Sequence, residues 1–199
     1  MAPARNIVTK VRMSATRTAA LAALAALAAG LATVSVPAAA QEEKTFDGLY
    51  IAAETGFARY NLNGESASGN GLYYGGALGY RKQLGRFVVG VEGHYAGTTI
   101  KVDSIFSGPT SVDSTYGGEL TLGAVLGENR NFHLFGLIGV SETQLSSGGF
   151  SYDNRFLSLG AGMEYRLSDR LHLRAKARLK GVPTGDGMPE LLAAVVVPF

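Results

Sequence analysis

The chain ends on Glu190-Leu191-Leu192-Ala193-Ala194-Val195-Val196-Val197-Pro198-Phe199, and the alternation in this stretch decides the fold. Counting back by twos from Phe199 gives Val197, Val195, Ala193 and Leu191, all apolar. Successive side chains on a strand point to opposite faces, so these five share one face. Two environments accept such a face at a chain end. One is the interior of a soluble sheet, and the other is lipid around a barrel closed by its last strand. The strands before it choose between them.

Residues 171–180 alternate cleanly, with Leu171, Leu173, Ala175, Ala177 and Leu179 opposing His172, Arg174, Lys176, Arg178 and Lys180. Residues 155–167 set Leu157, Leu159, Ala161, Met163 and Tyr165 against Ser158, Gly160, Gly162, Glu164 and Arg166. The same period recurs over 48–60, 71–82, 86–97 and 116–127. Residues 132–143 form a further segment whose phase stays open, because Leu134, Ile138 and Val140 oppose Phe135 and Leu137. With 190–199 the pattern predicts eight strands. Tight turns are expected at 83–85, 128–131 and 168–170. Longer polar connections are expected at 61–70, 98–115, 144–154 and 181–189. After residue 40 no apolar run reaches the length of a membrane helix. The expectation is an all-β chain forming an eight-stranded antiparallel up-and-down transmembrane β-barrel. An even strand count with short turns at one end and longer loops at the other sets both barrel termini in the periplasm.

The N-terminus carries Arg5, Lys10, Arg12 and Arg17 with no acid, then an Ala/Leu-rich run over 19–31, then Val36-Pro37-Ala38-Ala39-Ala40. This is the pattern of a cleaved secretory signal peptide, with Ala38 and Ala40 in the two small positions and Gln41 as the first mature residue. The domains read as 1–40 signal peptide, 41–47 periplasmic tail and 48–199 barrel. The whole chain has 18 Lys+Arg and 16 Asp+Glu. Removing the four leader bases leaves 14 against 16, so the exported chain is slightly acidic. The basic balance of the whole chain therefore argues nothing about nucleic acid. There is no Cys, which excludes disulfides and thiolate metal sites.

In a soluble barrel apolar side chains point inward, and in a membrane barrel the order inverts. Gly75, Gly79, Gly90, Gly123, Gly160 and Gly162 share faces with Arg81, Glu92, Glu119 and Glu164. An eight-stranded interior is just wide enough for side chains to fill, so glycines beside long charges make room there. On a solvated face they would only weaken the strands. The expected lumen network is Glu54, Arg81, Glu92, Glu119, Glu164, Arg174, Lys176 and Arg178. A hairpin centred on Asp169 sets Glu164 opposite Arg174, and Lys180 meets Glu190 near the outer rim. Four bases and no acid on 171–180 predict a cationic excess in the upper lumen. The opposite faces carry no mid-strand charge. They hold Tyr74, Tyr80, Phe87, Tyr95, Phe132 and Tyr165, which suits interfacial aromatic girdles.

With these residues in place the chain resembles the small eight-stranded outer-membrane barrels, of the kind of the OmpA transmembrane domain, OmpX and the opacity-type proteins. The resemblance covers residues 48–199. It is carried by Phe87-Val88-Val89-Gly90-Val91-Glu92-Gly93 and by the run from Leu159-Gly160-Ala161-Gly162-Met163-Glu164 through Tyr165-Arg166-Leu167-Ser168-Asp169-Arg170-Leu171. The ending is similar too, and the resemblance implies that Phe199, with Val197 and Val195, is the signal read by the insertion machinery. It further implies the Gram-negative outer membrane, contacts with its lipid and lipopolysaccharide, and periplasmic chaperones during assembly. A monomer without cofactor is expected, with any surface ligand left open.

Catalysis finds no support in the residues. The lipid A deacylases of such barrels place a Ser two residues after a His, whereas Ala96, Phe135 and Arg174 follow His94, His133 and His172 here. The three His have no metal-ligand spacing. Gly69-Asn70-Gly71 and Gly185-Asp186-Gly187 are turn chemistry without the strand–helix context of a phosphate loop. Three functions remain open. They are a plugged barrel with a structural or surface-interaction role, a narrow diffusion channel, and a soluble periplasmic lipocalin-like binder.

Overall fold

The computed structural model describes residues 45–61, 68–104, 108–147, 150–181 and 187–199. The expected export segment, with Ala38, Ala40 and Gln41, lies outside them. Eight strands follow in order: β1 (Gly48–Asn61), β2 (Ser68–Leu84), β3 (Phe87–Ser104), β4 (Gly108–Leu126), β5 (Phe132–Ser147), β6 (Phe150–Ser168), β7 (Leu171–Lys180) and β8 (Met188–Pro198). Each pairs antiparallel with the next, and β1 pairs with β8, so the sheet is a closed barrel. Closure leaves no edge along the paired stretch, which is what lets a sheet lie in lipid with its backbone satisfied.

The in/out order is that of a membrane barrel. Phe57, Phe87, Tyr95, Leu122 and Leu191 are more than 60 % exposed, whereas Glu54, Arg81, Glu92, Glu119, Glu164, Arg174, Lys176 and Arg178 are all buried. A lipocalin-like binder needs the reverse, and that reading is set aside. The open phase of β5 is resolved: His133, Phe135 and Leu137 face inward, and Leu134, Ile138 and Val140 face out. Both sets are apolar because Phe135 fills space left by a glycine. A Cβ added at Gly162 would collide with the Phe135 ring.

The strands correct the expected loops. Residues 98–115 and 144–154 are largely strand, with pairs running to Ser104↔Gly108 on β3–β4 and to Ser147↔Phe150 on β5–β6. Strands of this length exceed the roughly 9–11 residues that cross a bilayer. Among the described residues the asymmetry between the two ends of the barrel therefore lies in these paired ribbons. Their polar Ser/Thr surface reads as loop, and irregularities in register between Gly97 and Ile100 and between Val112 and Ser114 break the period-two pattern. Val112 and Thr115 both face inward across the second of these, which shifts the alternation by one residue.

One interior glycine illustrates how tightly the barrel is filled. A Cβ at Gly79 would run into the ring of Tyr50. That ring is held between the guanidinium groups of Arg81 and Arg174, at 4.7 and 4.8 Å, and its hydroxyl donates to Glu92 at 2.7 Å. Gly79→Ala is expected to cost about 1–3 kcal/mol by overpacking. In a Tyr50→Ala background the same change should be nearly neutral. Urea unfolding from lipid vesicles measures both, and strictly additive losses would show that the ring is not the obstacle.

Candidate functional site: the layered lumen

The lumen is built in three layers. The middle one is ionic, and β7 supplies its cations because every second residue from Arg174 to Lys180 points inward. Across the β6–β7 hairpin Glu164 lies opposite Arg174. Glu164 accepts from Arg174 Nε at 2.8 Å, and from Arg81 Nη1 at 2.8 Å on the far side of the lumen. His172 Nδ1 lies 2.6 Å from Glu164 Oε1. Arg174 continues to Glu92.

Glu92 and Glu119 are directly opposed on β3 and β4. Two carboxylates in that position repel unless a cation intervenes. Lys176 supplies it, with its ammonium 2.8 Å from Glu92, 3.4 Å from Glu119 and 3.0 Å from Glu54. Arg178 then joins Glu119 to Glu190, the latter at 2.5 Å, and Lys180 lies 2.8 Å from Glu190. All eight residues expected in the lumen network meet in one chain of contacts.

The predicted cationic excess is not found. Glu190 on β8 is a fifth buried acid, so Glu54, Glu92, Glu119, Glu164 and Glu190 face Arg81, Arg174, Lys176, Arg178 and Lys180. Buried charges persist when they are paired, and every acid of the belt has a cation beside it, although Glu54 meets Lys176 as an ion pair without hydrogen-bond geometry. Lys180 and Glu190, expected at the rim, join this belt. The signal that would have moved them into the belt was Glu190's phase with Leu192, Ala194 and Val196.

Above the belt, toward the ribbons, lies a buried apolar cluster that includes Tyr60, Tyr73, Ile100, Val102, Val112, Leu145, Phe156 and Met188, with Thr98, Thr115 and Thr143 buried beside it. Below it, at the tight-turn end, Phe46 packs with Val88 and Val125. Phe46 falls in the polar segment expected to be a tail, yet its side chain is wholly buried. Among the described residues no group of three or more His, Asp or Glu is arranged to hold a metal. A pocket of about 640 Å³ lies at the tight-turn rim, lined by Glu128, Arg130, Tyr165 and Arg166 among others.

Outside, the terminal residue is 74 % exposed, and its N–H donates to the Leu49 carbonyl at 2.9 Å. Val195 and Val197 share its outward phase, paired with Ala53 and Ile51 of β1. Phe132 and Tyr165 pack at 4.7 Å between ring centroids near this end. Toward the other end Tyr116 donates to Glu142 at 2.6 Å, with Arg155 3.4 Å beyond.

The outer membrane protein beta-barrel domain family matches residues 25–187. The chain belongs to this family. It is thus an outer-membrane β-barrel, as the exposed apolar face and buried charges require. Comparison with curated proteins gives no match. Among solved structures it is similar to Neisserial surface protein A, at 18% identity and a TM-score of 0.51, over 77% of this chain and 98% of that one. It is also similar to Ail, the attachment invasion locus protein of Yersinia pestis, at 20% identity and a TM-score of 0.48, over 77% and 99%. The N-terminal β-barrel domain of Pseudomonas aeruginosa OprF gives 15% identity and a TM-score of 0.48, over 75% and 97%. The first of these likenesses is one of fold.

Proposed function

We propose that this protein is a sealed surface barrel of the Gram-negative outer membrane. It holds lipid and lipopolysaccharide on its outer face and presents the β3–β6 ribbons outside the cell, with both barrel termini in the periplasm. The observation that supports this reading is the filled interior: a charge-balanced belt of buried, paired side chains, with a buried apolar cluster above it, occupies the lumen among the described residues. The work of the molecule then falls to its surface, as envelope support or as contact through the ribbons. No step of chemistry is assigned to it. Phe199, Val197 and Val195, at the seam between β8 and β1, serve the insertion machinery as the mark of the strand that closes the barrel.

Orientation and display are tested together by single cysteines, which are unambiguous in a chain that has none. Lys101 is exposed on the β3 ribbon and Arg170 is exposed in the β6–β7 turn. A membrane-impermeant maleimide applied to intact cells should label Lys101→Cys and spare Arg170→Cys until the outer membrane is permeabilised. The opposite pattern would invert the barrel, and protection of both would remove the ribbons from the cell surface.

A further inference from the structure

The lower lumen holds a device that the sealed-surface reading does not use. We propose that Thr45–Asp47 is a removable stopper, closing the periplasmic mouth of the barrel by inserting Phe46 into it. Three consecutive residues each find a separate anchor. Arg166 Nη1 donates to Thr45 Oγ1 at 3.2 Å, the Phe46 N–H donates to Gln83 Oε1 at 2.9 Å, and Asp47 meets Lys82 at 3.5 Å. Gln83 and Lys82 belong to β2 and Arg166 to β6, four strands away in a ring of eight, so the segment bridges the opening from side to side.

The Phe46 side chain fits what lies beneath it. Its ring centroid is 5.2 Å from that of His133 on β5 and 5.3 Å from that of His172 on β7. The Arg81 guanidinium of β2 sits over the ring at 5.2 Å, and Val88 of β3 and Val125 of β4 complete the seat. Five strands thus grip one side chain, an arrangement that exists only when the barrel is closed. The chain is steered into the mouth by Gly48, whose φ of +102° turns it back from β1. Side-chain-bearing residues rarely adopt that conformation.

Two observations make the stopper removable. Thr45–Asp47 forms a turn with no strand ladder of its own, so withdrawal breaks no sheet pairing. Closure also shields polar atoms that have no hydrogen-bond partner among the described residues: both ring nitrogens of His133, His172 Nε2 and Arg81 Nε. Burying unpaired polar groups opposes the closed state, and water admitted on opening would relieve it. Ring packing and the three anchors hold the mouth shut against that pull. Withdrawal would uncover a vestibule that ends at the ionic belt, so the device operates whether or not anything crosses the belt.

The test uses Val88→Cys as a single reporter thiol in the full-length exported protein, refolded into vesicles. Folding is verified by the gel-mobility difference between unheated and boiled samples. A small water-soluble thiol reagent should modify Val88→Cys slowly while Phe46 is present. It should act about a hundredfold faster in Phe46→Ala, as expected for loss of local protection. Phe46→Leu, which refills most of the space, should restore slow reaction. Gln83→Leu, which removes one anchor and keeps the ring, should give an intermediate rate and serves if Phe46→Ala does not fold. Fast modification with Phe46 in place would show that the mouth is already open. Slow modification in folded Phe46→Ala would show that something else closes it. Either result overturns the proposal.

Discussion

Glu164→Ala is expected to destabilise the barrel by about 3–5 kcal/mol, because it removes one member of a buried ion network and leaves cations behind. Glu164 is fully buried and serves Arg81, Arg174 and His172 at once. Its two arginines are not equally dependent on it. Arg174 keeps Glu92, whereas the carboxylate paired with Arg81 is Glu164. A double-mutant cycle should therefore give a coupling of about 2–3 kcal/mol for Glu164 with Arg81, and a smaller one for Glu164 with Arg174. The expected order is the reverse of what strand neighbours alone suggest, since Arg174 is the residue facing Glu164 across the hairpin. Equilibrium unfolding in urea from lipid vesicles measures all the variants. A loss below about 0.5 kcal/mol for Glu164→Ala, the level of an ordinary surface change, would mean that water reaches the belt.

Leu159→Arg carries the second large effect. Leu159 points outward on β6, flanked by Ile138 and Leu179, and lies between Tyr165 near one end of the barrel and Arg155 toward the other. A charge there sits near mid-bilayer and should cost roughly 2–4 kcal/mol. Its neighbour Ser158 faces the lumen, fully buried, with its hydroxyl 3.1 Å from that of Ser141. Ser158→Arg should also destabilise, but by crowding, and by adding a cation next to Lys180 in a balanced belt. The two are separated by varying lipid chain length. The cost of Leu159→Arg should fall in thinner bilayers, where the guanidinium reaches the interface sooner, and that of Ser158→Arg should not change. A silent Leu159→Arg would contradict the assignment of this face to lipid.

These residues also mark how far the sequence could be read. Strand existence and the in/out sense follow from period two, so Leu159 out and Glu164 in were legible from alternation alone. A tight turn at Asp169 was enough to set Glu164 against Arg174. The Arg81–Glu164 pair was not legible, because the two meet across the lumen and 83 positions separate them. Nor were the ribbons, since their Ser/Thr-rich outer face resembles a loop and the irregularity near Val112 shifts the phase just where the inner face turns apolar. Phase on β5 stayed open because Phe135 compensates for Gly162 on the neighbouring strand, a fit visible only once register is known. Phe46 carried no signal, being a lone aromatic in a polar segment outside any strand. The shared cause is that alternation reports one strand at a time, whereas the lumen is assembled from strands on opposite walls.

In the function proposed above, the belt and the apolar cluster above it seal the barrel. Planar-bilayer recording of purified, folded protein tests this most directly. A sealed lumen should leave the bilayer at baseline across a wide range of voltage, with protein incorporation verified separately by quantifying the protein in the vesicles fused to the bilayer. Steady, ion-conducting openings from the unaltered protein would rule out a sealed lumen and establish a diffusion channel.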